Sequence, residues 1–194
     1  MLTDLFPHDT VGLRPVTRPT LHRLRDGDRL ALEITPVAMR IGDAEVRMIA
    51  YDGSVPGPTL HVDQGAEIIV EVTNHGDIET TVHWHGVRLD NRFDGVPGDT
   101  QAPIGIGETF SYRVRFPDAG FYWYHPHLRE DSAQEMGLYG TIVVESSDPN
   151  GLSAVRGWRE PRGDDTVPAS GYVCPMHPEV TASERQLCME SSPS

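Results

Sequence analysis

Lysine is missing from the 194-residue chain, so all 16 basic side chains are arginine, set against 29 acidic ones for a net charge of −13. A surface of that sign repels phosphate, which excludes nucleic acid as a partner. It suits solubility and a field that attracts cations. No apolar run approaches the roughly 20 residues that a spanning helix requires, so membrane insertion is not expected. The opening Met1-Leu2-Thr3-Asp4-Leu5-Phe6-Pro7-His8-Asp9 has neither a basic start nor an apolar stretch of signal-peptide length. The compartment stays open on this evidence. Cysteine is scarce: Cys174 and Cys188 both fall near the C-terminus, so the body of the chain has no disulfide framework. In an oxidising compartment the two could form a disulfide, and in a reducing one they would be free thiols or metal ligands. A sustained helical period is also missing.

What the chain does have is short alternating segments. Leu30, Leu32 and Ile34 alternate with Ala31, Glu33 and Thr35, as a half-buried strand should. Ile41-Gly42-Asp43-Ala44 has turn chemistry before an apolar stretch from Glu45 to Tyr51, which predicts a hairpin. Two prolines and two glycines in Gly53-Ser54-Val55-Pro56-Gly57-Pro58 preclude helix there. Ile68, Val70 and Val72 alternate within Ala66 to Thr73, and Tyr112, Val114 and Phe116 within Thr109 to Phe116. Tyr139 to Glu145 reads as a last strand. Arg88 to Gly107 is a long loop, of a length that is usually functional or disordered. Such strands with turns between them describe an antiparallel sandwich or barrel. The reading divides the chain into an irregular N-terminal arm over 1–28, an all-β domain over 29–146, a Ser/Asp/Pro/Gly-rich linker over 147–170 and a short tail over 171–194.

Two blocks carry the chemistry. In His83-Trp84-His85-Gly86 an extended backbone puts His83 and His85 on one face with Trp84 behind them. In Tyr124-His125-Pro126-His127 the same rule pairs His125 with His127, and Pro126 suits a strand end. A fold that brought the faces together would concentrate neutral nitrogen donors, a set that suits copper above other first-row divalent metals. Isolated histidines are more often packed or hydrogen-bonded residues than ligands, and His8, His22, His61 and His75 are read that way. Trp84, Tyr122, Trp123 and Tyr124 are read as packing residues, and Met136 as a packed thioether.

Tyr51-Asp52-Gly53-Ser54-Val55-Pro56-Gly57-Pro58-Thr59, His83-Trp84-His85-Gly86 and Tyr122-Trp123-Tyr124-His125-Pro126-His127, in that order, resemble the N-terminal, plastocyanin-like cupredoxin domain of the laccase-like multicopper oxidases. The resemblance implies a single Greek-key β-sandwich that supplies half the histidines of a trinuclear copper cluster for dioxygen reduction. It implies His83 on the type 2 copper, His85 and His125 on one type 3 copper and His127 on the other. Asp94 sits where the family has an acidic residue that relays protons, although Asp-Gly is also ordinary turn chemistry. Family members usually work outside the cytoplasm.

The departures from the family matter equally. Its other cluster histidines, and the His-Cys-His block of the type 1 copper, belong to a later domain that this sequence does not match. Neither Cys174 nor Cys188 lies in such a block. The expected partner is therefore a separate chain carrying the missing half, or further copies of this one, with a small-molecule or metal-ion reductant and dioxygen as reactants. A second, shorter resemblance links Tyr172-Val173-Cys174-Pro175-Met176-His177-Pro178-Glu179 to the heavy-metal-binding segment of copper-transport proteins. Cys174, Met176, His177 and Cys188 offer a thiolate, thioether and imidazole set that favours Cu(I). Three functions compete: an oxidoreductase half-site, a copper-sequestering or copper-delivery protein, and a truncated product that binds metal adventitiously.

Overall fold

The computed structural model describes residues 8–147 and the backbone of two later strands, Tyr172–Cys174 and His177–Ala182. The chain divides into two compact units, Met1–Arg156 and Gly157–Ser194. In the first, the strands run β1 (Arg14–Pro15), β2 (Leu21–Leu24), β3 (Arg29–Ile41), β4 (Ala44–Tyr51), β5 (Thr59–Asp63), β6 (Glu67–Asn74), β7 (His83–His85), β8 (Thr109–Arg115), β9 (Gly120–His125) and β10 (Gly140–Glu145). Among the described residues, a 3-10 turn, Asn91–Phe93, and a four-residue helix, α1 (Glu130–Ala133), interrupt them. In the second unit the two strands form an antiparallel pair.

Two sheets make a sandwich of cupredoxin type. One runs β1-β3-β6-β8 with β4 also on β3, and the other runs β2-β5-β10-β9-β7. The predicted alternation decides which side chains meet between them. Leu32, Ile34, Ile68, Val70, Val72, Tyr112 and Val114 from the first sheet face Leu60, Val62, Trp84, Tyr124, Ile142 and Val144 from the second, all at most 1% exposed. Fully burying each aliphatic side chain contributes about 1.5–3 kcal/mol. The β3/β4 hairpin closes through Gly42 and Asp43, between the paired Ile41 and Ala44, with Gly42 at φ 60°.

Three features differ from the sequence reading. The sheets are mixed, because β1/β3, β3/β6, β2/β5 and β5/β10 are parallel. A chain that crosses from sheet to sheet returns beside earlier strands in the same direction, whereas only hairpins enforce antiparallel neighbours. The N-terminal arm is not wholly irregular, since Leu21–Leu24 pairs along β5 and Arg14–Pro15 along β3. Strand β5, which the sequence reading does not assign, starts directly after the 53–58 stretch, with Leu60 and Val62 buried and His61 on the opposite face. Strands this short have too few alternations to stand out, and their partners specify them.

The segment leading into β7 is held from both sides. Asn74, wholly buried, donates from Nδ2 to the carbonyls of Ile78 (2.8 Å) and Ile104 (2.9 Å) and accepts from Gly76 N at 2.9 Å. Thr80 and Ile104 exchange both backbone hydrogen bonds, at 3.1 and 2.7 Å. Every polar atom of that amide side chain that faces the interior is paired, as burial demands. The long loop is thereby fastened at its far end to the approach of β7.

Candidate metal centre

Strands β7 and β9 pair antiparallel in the register His83↔His125, Trp84↔Tyr124 and His85↔Trp123. Residues directly opposite share a face. His83, His85, Trp123 and His125 therefore stand on one side, while Trp84 and Tyr124 enter the core, both wholly buried. The core side is tightly specified: a Cβ on Gly140 would lie 2.2 Å from the Tyr124 ring and hydroxyl, and that hydroxyl donates to the Pro58 carbonyl at 2.7 Å. Packing of the Tyr124 ring thus fixes the strand whose end presents His125.

Ring nitrogens of His83, His85 and His125 lie within 4.8 Å of one another. The ring of His127 stands 5.0 Å from that of His83, centroid to centroid, edge to face. His83 is also 5.5 Å from His85 and 5.4 Å from His125. The two blocks thus meet around His83. Trp123 stacks on His125 at 4.0 Å and lies 5.0 Å from His85, so it walls one flank of the group.

Hydrogen bonds set which nitrogen each imidazole presents. His83 Nδ1 donates to the Asp94 carbonyl at 2.7 Å, and His125 Nδ1 to the Pro126 carbonyl at 2.8 Å. His127 Nδ1 meets Glu130 Oε1 at 2.9 Å. A carbonyl or ionised carboxylate only accepts, so Nδ1 carries a proton in all three and Nε2 is the nitrogen left to meet a metal. His85 differs: its Nδ1 faces His125 Nε2 across 3.2 Å. Two donors on one first-row ion, with bonds of about 2.0 Å, are separated by about that much. His125 has its pKa lowered, chiefly by burial, with the charges of His83 and His85 adding to the effect and the Pro126 carbonyl opposing it. It is held neutral, the form that binds metal. Donor type, convergence and tautomer all fit copper.

Asp94 comes to His83 from the Nδ1 side, with Oδ1 at 3.3 Å and a side chain 31% exposed. Its carbonyl orients the ring, and its carboxylate is half-open to solvent. Gly95 explains the placement: a Cβ there would stand 1.9 Å from the Val82 carbonyl oxygen, and φ is +76°. The loop can lie on the strand bearing His83 because that residue has no side chain.

Sequence reasoning missed three supporting residues. The Thr81 hydroxyl accepts the His127 backbone amide at 3.2 Å, and the Tyr112 hydroxyl accepts the Val82 amide at 2.9 Å. Glu130 is the third. Thr81 was available to the alternation rule, two residues before His83. Glu130 had a weaker signal, an acid three positions after His127. Two of the isolated histidines make contacts away from the cluster: His22 Nε2 contacts the Thr20 hydroxyl at 3.3 Å and His61 Nε2 meets Glu145 at 3.4 Å. Met136 packs against the core. Of the tail residues, Met176 and Cys188 lie outside the described residues, and Cys174 and His177 are described only as backbone, paired in register.

Residues 33–149 match the multicopper oxidase family model. The chain is 40% identical over 125 residues to multicopper oxidase MmcO of Mycobacterium tuberculosis, covering 63% of this chain and 24% of that protein. It is 33% identical over 123 residues to copper resistance protein A of Pseudomonas syringae pv. tomato, covering 63% and 20%. Among solved structures it is similar to the multicopper oxidase from Pseudomonas thermotolerans, with TM-score 0.60 and 37% identity over 69% of this chain and 31% of that one. The blue copper oxidase from Nitrosomonas europaea gives TM-score 0.62 and 34% identity over 64% and 40%. The chain spans 20 to 40% of the length of these proteins. A family match across more than half the sequence, on a fold shared with solved oxidases, means that the chain belongs to the multicopper oxidase family, whose cofactor is copper.

Proposed function

We propose that this domain supplies half of the imidazole ligands of a trinuclear copper cluster that reduces dioxygen, through His83, His85, His125 and His127. Convergence of the ring nitrogens of His83, His85 and His125 within 4.8 Å is the observation that carries the reading. The 3.2 Å approach of His85 Nδ1 to His125 Nε2 supports giving both to one ion. His83 and His127, each with Nδ1 capped, then present Nε2 to neighbouring ions. Bound copper supplies the electrons that dioxygen takes up, and the chain's own residues do the rest. The Asp94 and Pro126 carbonyls hold the rings in their tautomer, and Trp123 covers a flank that water would otherwise reach. The Asp94 carboxylate would pass protons toward the site, a role that its 3.3 Å approach to His83 and its partial exposure support.

The remaining imidazoles would belong to a second cupredoxin unit, on a partner chain or another copy of this one, and the type 1 copper to a unit that has a thiolate between imidazoles. A self-assembled copy brings more histidines and no thiolate between imidazoles, so electron entry depends on a different unit. A second reading, copper sequestration or delivery, draws support from the three-imidazole group, which is enough to hold one ion without any partner.

Loading the purified chain with copper without air, then measuring metal per protomer, assembly mass, absorption and oxygen uptake with a diphenol, separates the two. Several coppers per assembly with oxygen consumption is the result expected of the half-site. One copper per chain without turnover assigns sequestration instead.

A further inference from the structure

The acceptors on the three capped imidazoles are not alike. His83 and His125 rest on backbone carbonyls, whereas His127 Nδ1 rests on a side-chain carboxylate, Glu130 Oε1, at 2.9 Å. We propose that Glu130 is a positioning residue for the copper site: it holds the tautomer and direction of the His127 ring and strengthens its donation to metal. The inference rests on the reading that His127 is a ligand. The backbone is built to deliver that carboxylate. Arg129 takes a left-handed conformation, φ 53° and ψ 47°, which a non-glycine residue adopts rarely. That corner closes the bend that follows the end of β9 at His125 and starts α1, and it turns Glu130 back on the residue three positions earlier. Backbone bonds from Ser132 N and Ala133 N to the Arg129 carbonyl, at 3.0 and 2.8 Å, hold the turn, and the Ser132 hydroxyl donates to the same oxygen at 3.2 Å.

A carboxylate on the far nitrogen of a ligating imidazole raises the basicity of the near one, and removing such a partner typically weakens metal binding by about 10–100-fold. A backbone carbonyl orients without a formal charge; His83 has the Asp94 carboxylate only as a second neighbour at 3.3 Å, behind the carbonyl at 2.7 Å, whereas the closest partner of His127 is itself a carboxylate. His127 is in addition held through its own amide by Thr81. Ring and backbone are thus fixed by separate contacts, and the ring contact can be removed alone.

The test compares Glu130→Ala, Glu130→Gln, Glu135→Gln and His127→Ala in the full chain. Cu(II) affinity is read by competition with a chromophoric chelator, and coordination by electron paramagnetic resonance of the Cu(II)-loaded protein. Glu130→Ala is expected to weaken Cu(II) binding about 10–100-fold and to alter the spectrum. Glu130→Gln, which keeps an acceptor and loses the charge, is expected to retain the wild-type spectral form with a smaller loss. Glu135→Gln makes the same charge change on the exposed part of the turn and is expected to leave both unchanged. If Glu130→Ala binds within twofold of wild type with the same spectrum while His127→Ala weakens binding, the inference is wrong and the ligand assignment stands. If His127→Ala also binds as wild type does, His127 is no ligand, and the inference falls with the reading beneath it. Melting of the metal-free variants separates a folding defect: at 45% exposure Glu130 is expected to be replaceable without loss of the fold.

Discussion

The backbone amide of His127 donates to the Thr81 hydroxyl at 3.2 Å, which ties the second histidine block to the strand approach that presents the first. Thr81 is wholly buried and His127 partly so, which places that hydrogen bond at the edge of the interior. Replacing Thr81 with valine keeps the shape and removes the acceptor. A buried donor left unpaired costs about 1–3 kcal/mol. Thr81→Val is therefore expected to lower stability by that amount in urea unfolding and to weaken copper binding, with Thr81→Ser restoring both. Equal copper affinity in the valine variant would show that the two blocks meet without this link.

Gly95→Ala makes a sharper demand on the same strand. The new methyl would be driven into the Val82 carbonyl, 1.9 Å away, at a residue whose φ of +76° already disfavours a side chain. Left-handed strain and overpacking together cost about 2–5 kcal/mol. The loop has to lift, and Asp94 leaves His83 with it. Thermal melting is expected to show the stability loss, and the His83 ring resonances in nuclear magnetic resonance are expected to report the loss of the Nδ1 hydrogen bond. Gly98→Ala, at a loop glycine whose Cβ would meet nothing within 4 Å, is the comparison for strain without a clash.

How far the sequence reveals this molecule depends on how local each feature is. Leu30, Leu32 and Ile34, or Ile68, Val70 and Val72, announce their strands by alternation alone, because half-burial needs nothing but the period of the backbone. The pairing of His83 with His85 follows from the same period. Their meeting with His125 and His127 does not: it needs the register His83↔His125, which is set by packing of Trp84 and Tyr124 on the opposite face. Family resemblance supplied that expectation where local patterning could not. Arg14–Pro15 and Thr59–Asp63 stayed hidden because their strand character comes from β3, β2 and β10 rather than from their own residues. Glu130 was hidden for a related reason, since its contact with His127 depends on a left-handed turn at an arginine.

Asp52 offers a test of electrostatics away from the metal. Its backbone is left-handed at φ 49°, its Oδ1 accepts Glu33 N at 2.7 Å, and its pKa is raised, mainly by burial. A carboxyl whose folded pKa lies above its unfolded value favours the fold when protonated. That contribution is complete below the unfolded value and is lost as pH rises through the folded one. Asparagine tolerates the same backbone and keeps the acceptor oxygen. Asp52→Asn is expected to be at least as stable as wild type at neutral pH, with its advantage shrinking as pH falls toward the ordinary aspartate range. Chemical unfolding of both proteins across that range checks the sign; a variant that loses ground at neutral pH would mean the ionised form is preferred.

Trp123 gives an optical handle on the imidazoles. Its ring stacks on His125 at 4.0 Å with planes 24° apart and lies 5.0 Å from His85, while Trp84 points to the other face of the strand and is buried. An ion held by His85 and His125 would sit against the Trp123 indole, and a Cu(II) ion at such range drains the excited state. Titrating Cu(II) into the metal-free chain is expected to quench emission with the same midpoint as chelator competition reports. Trp123→Phe keeps an aromatic wall, so it is expected to bind copper with similar affinity and to lose the larger part of the quenching. If the quenching persists undiminished in Trp123→Phe, Trp84 or Trp158 is the residue that reports the copper, and the ion does not lie against the Trp123 indole.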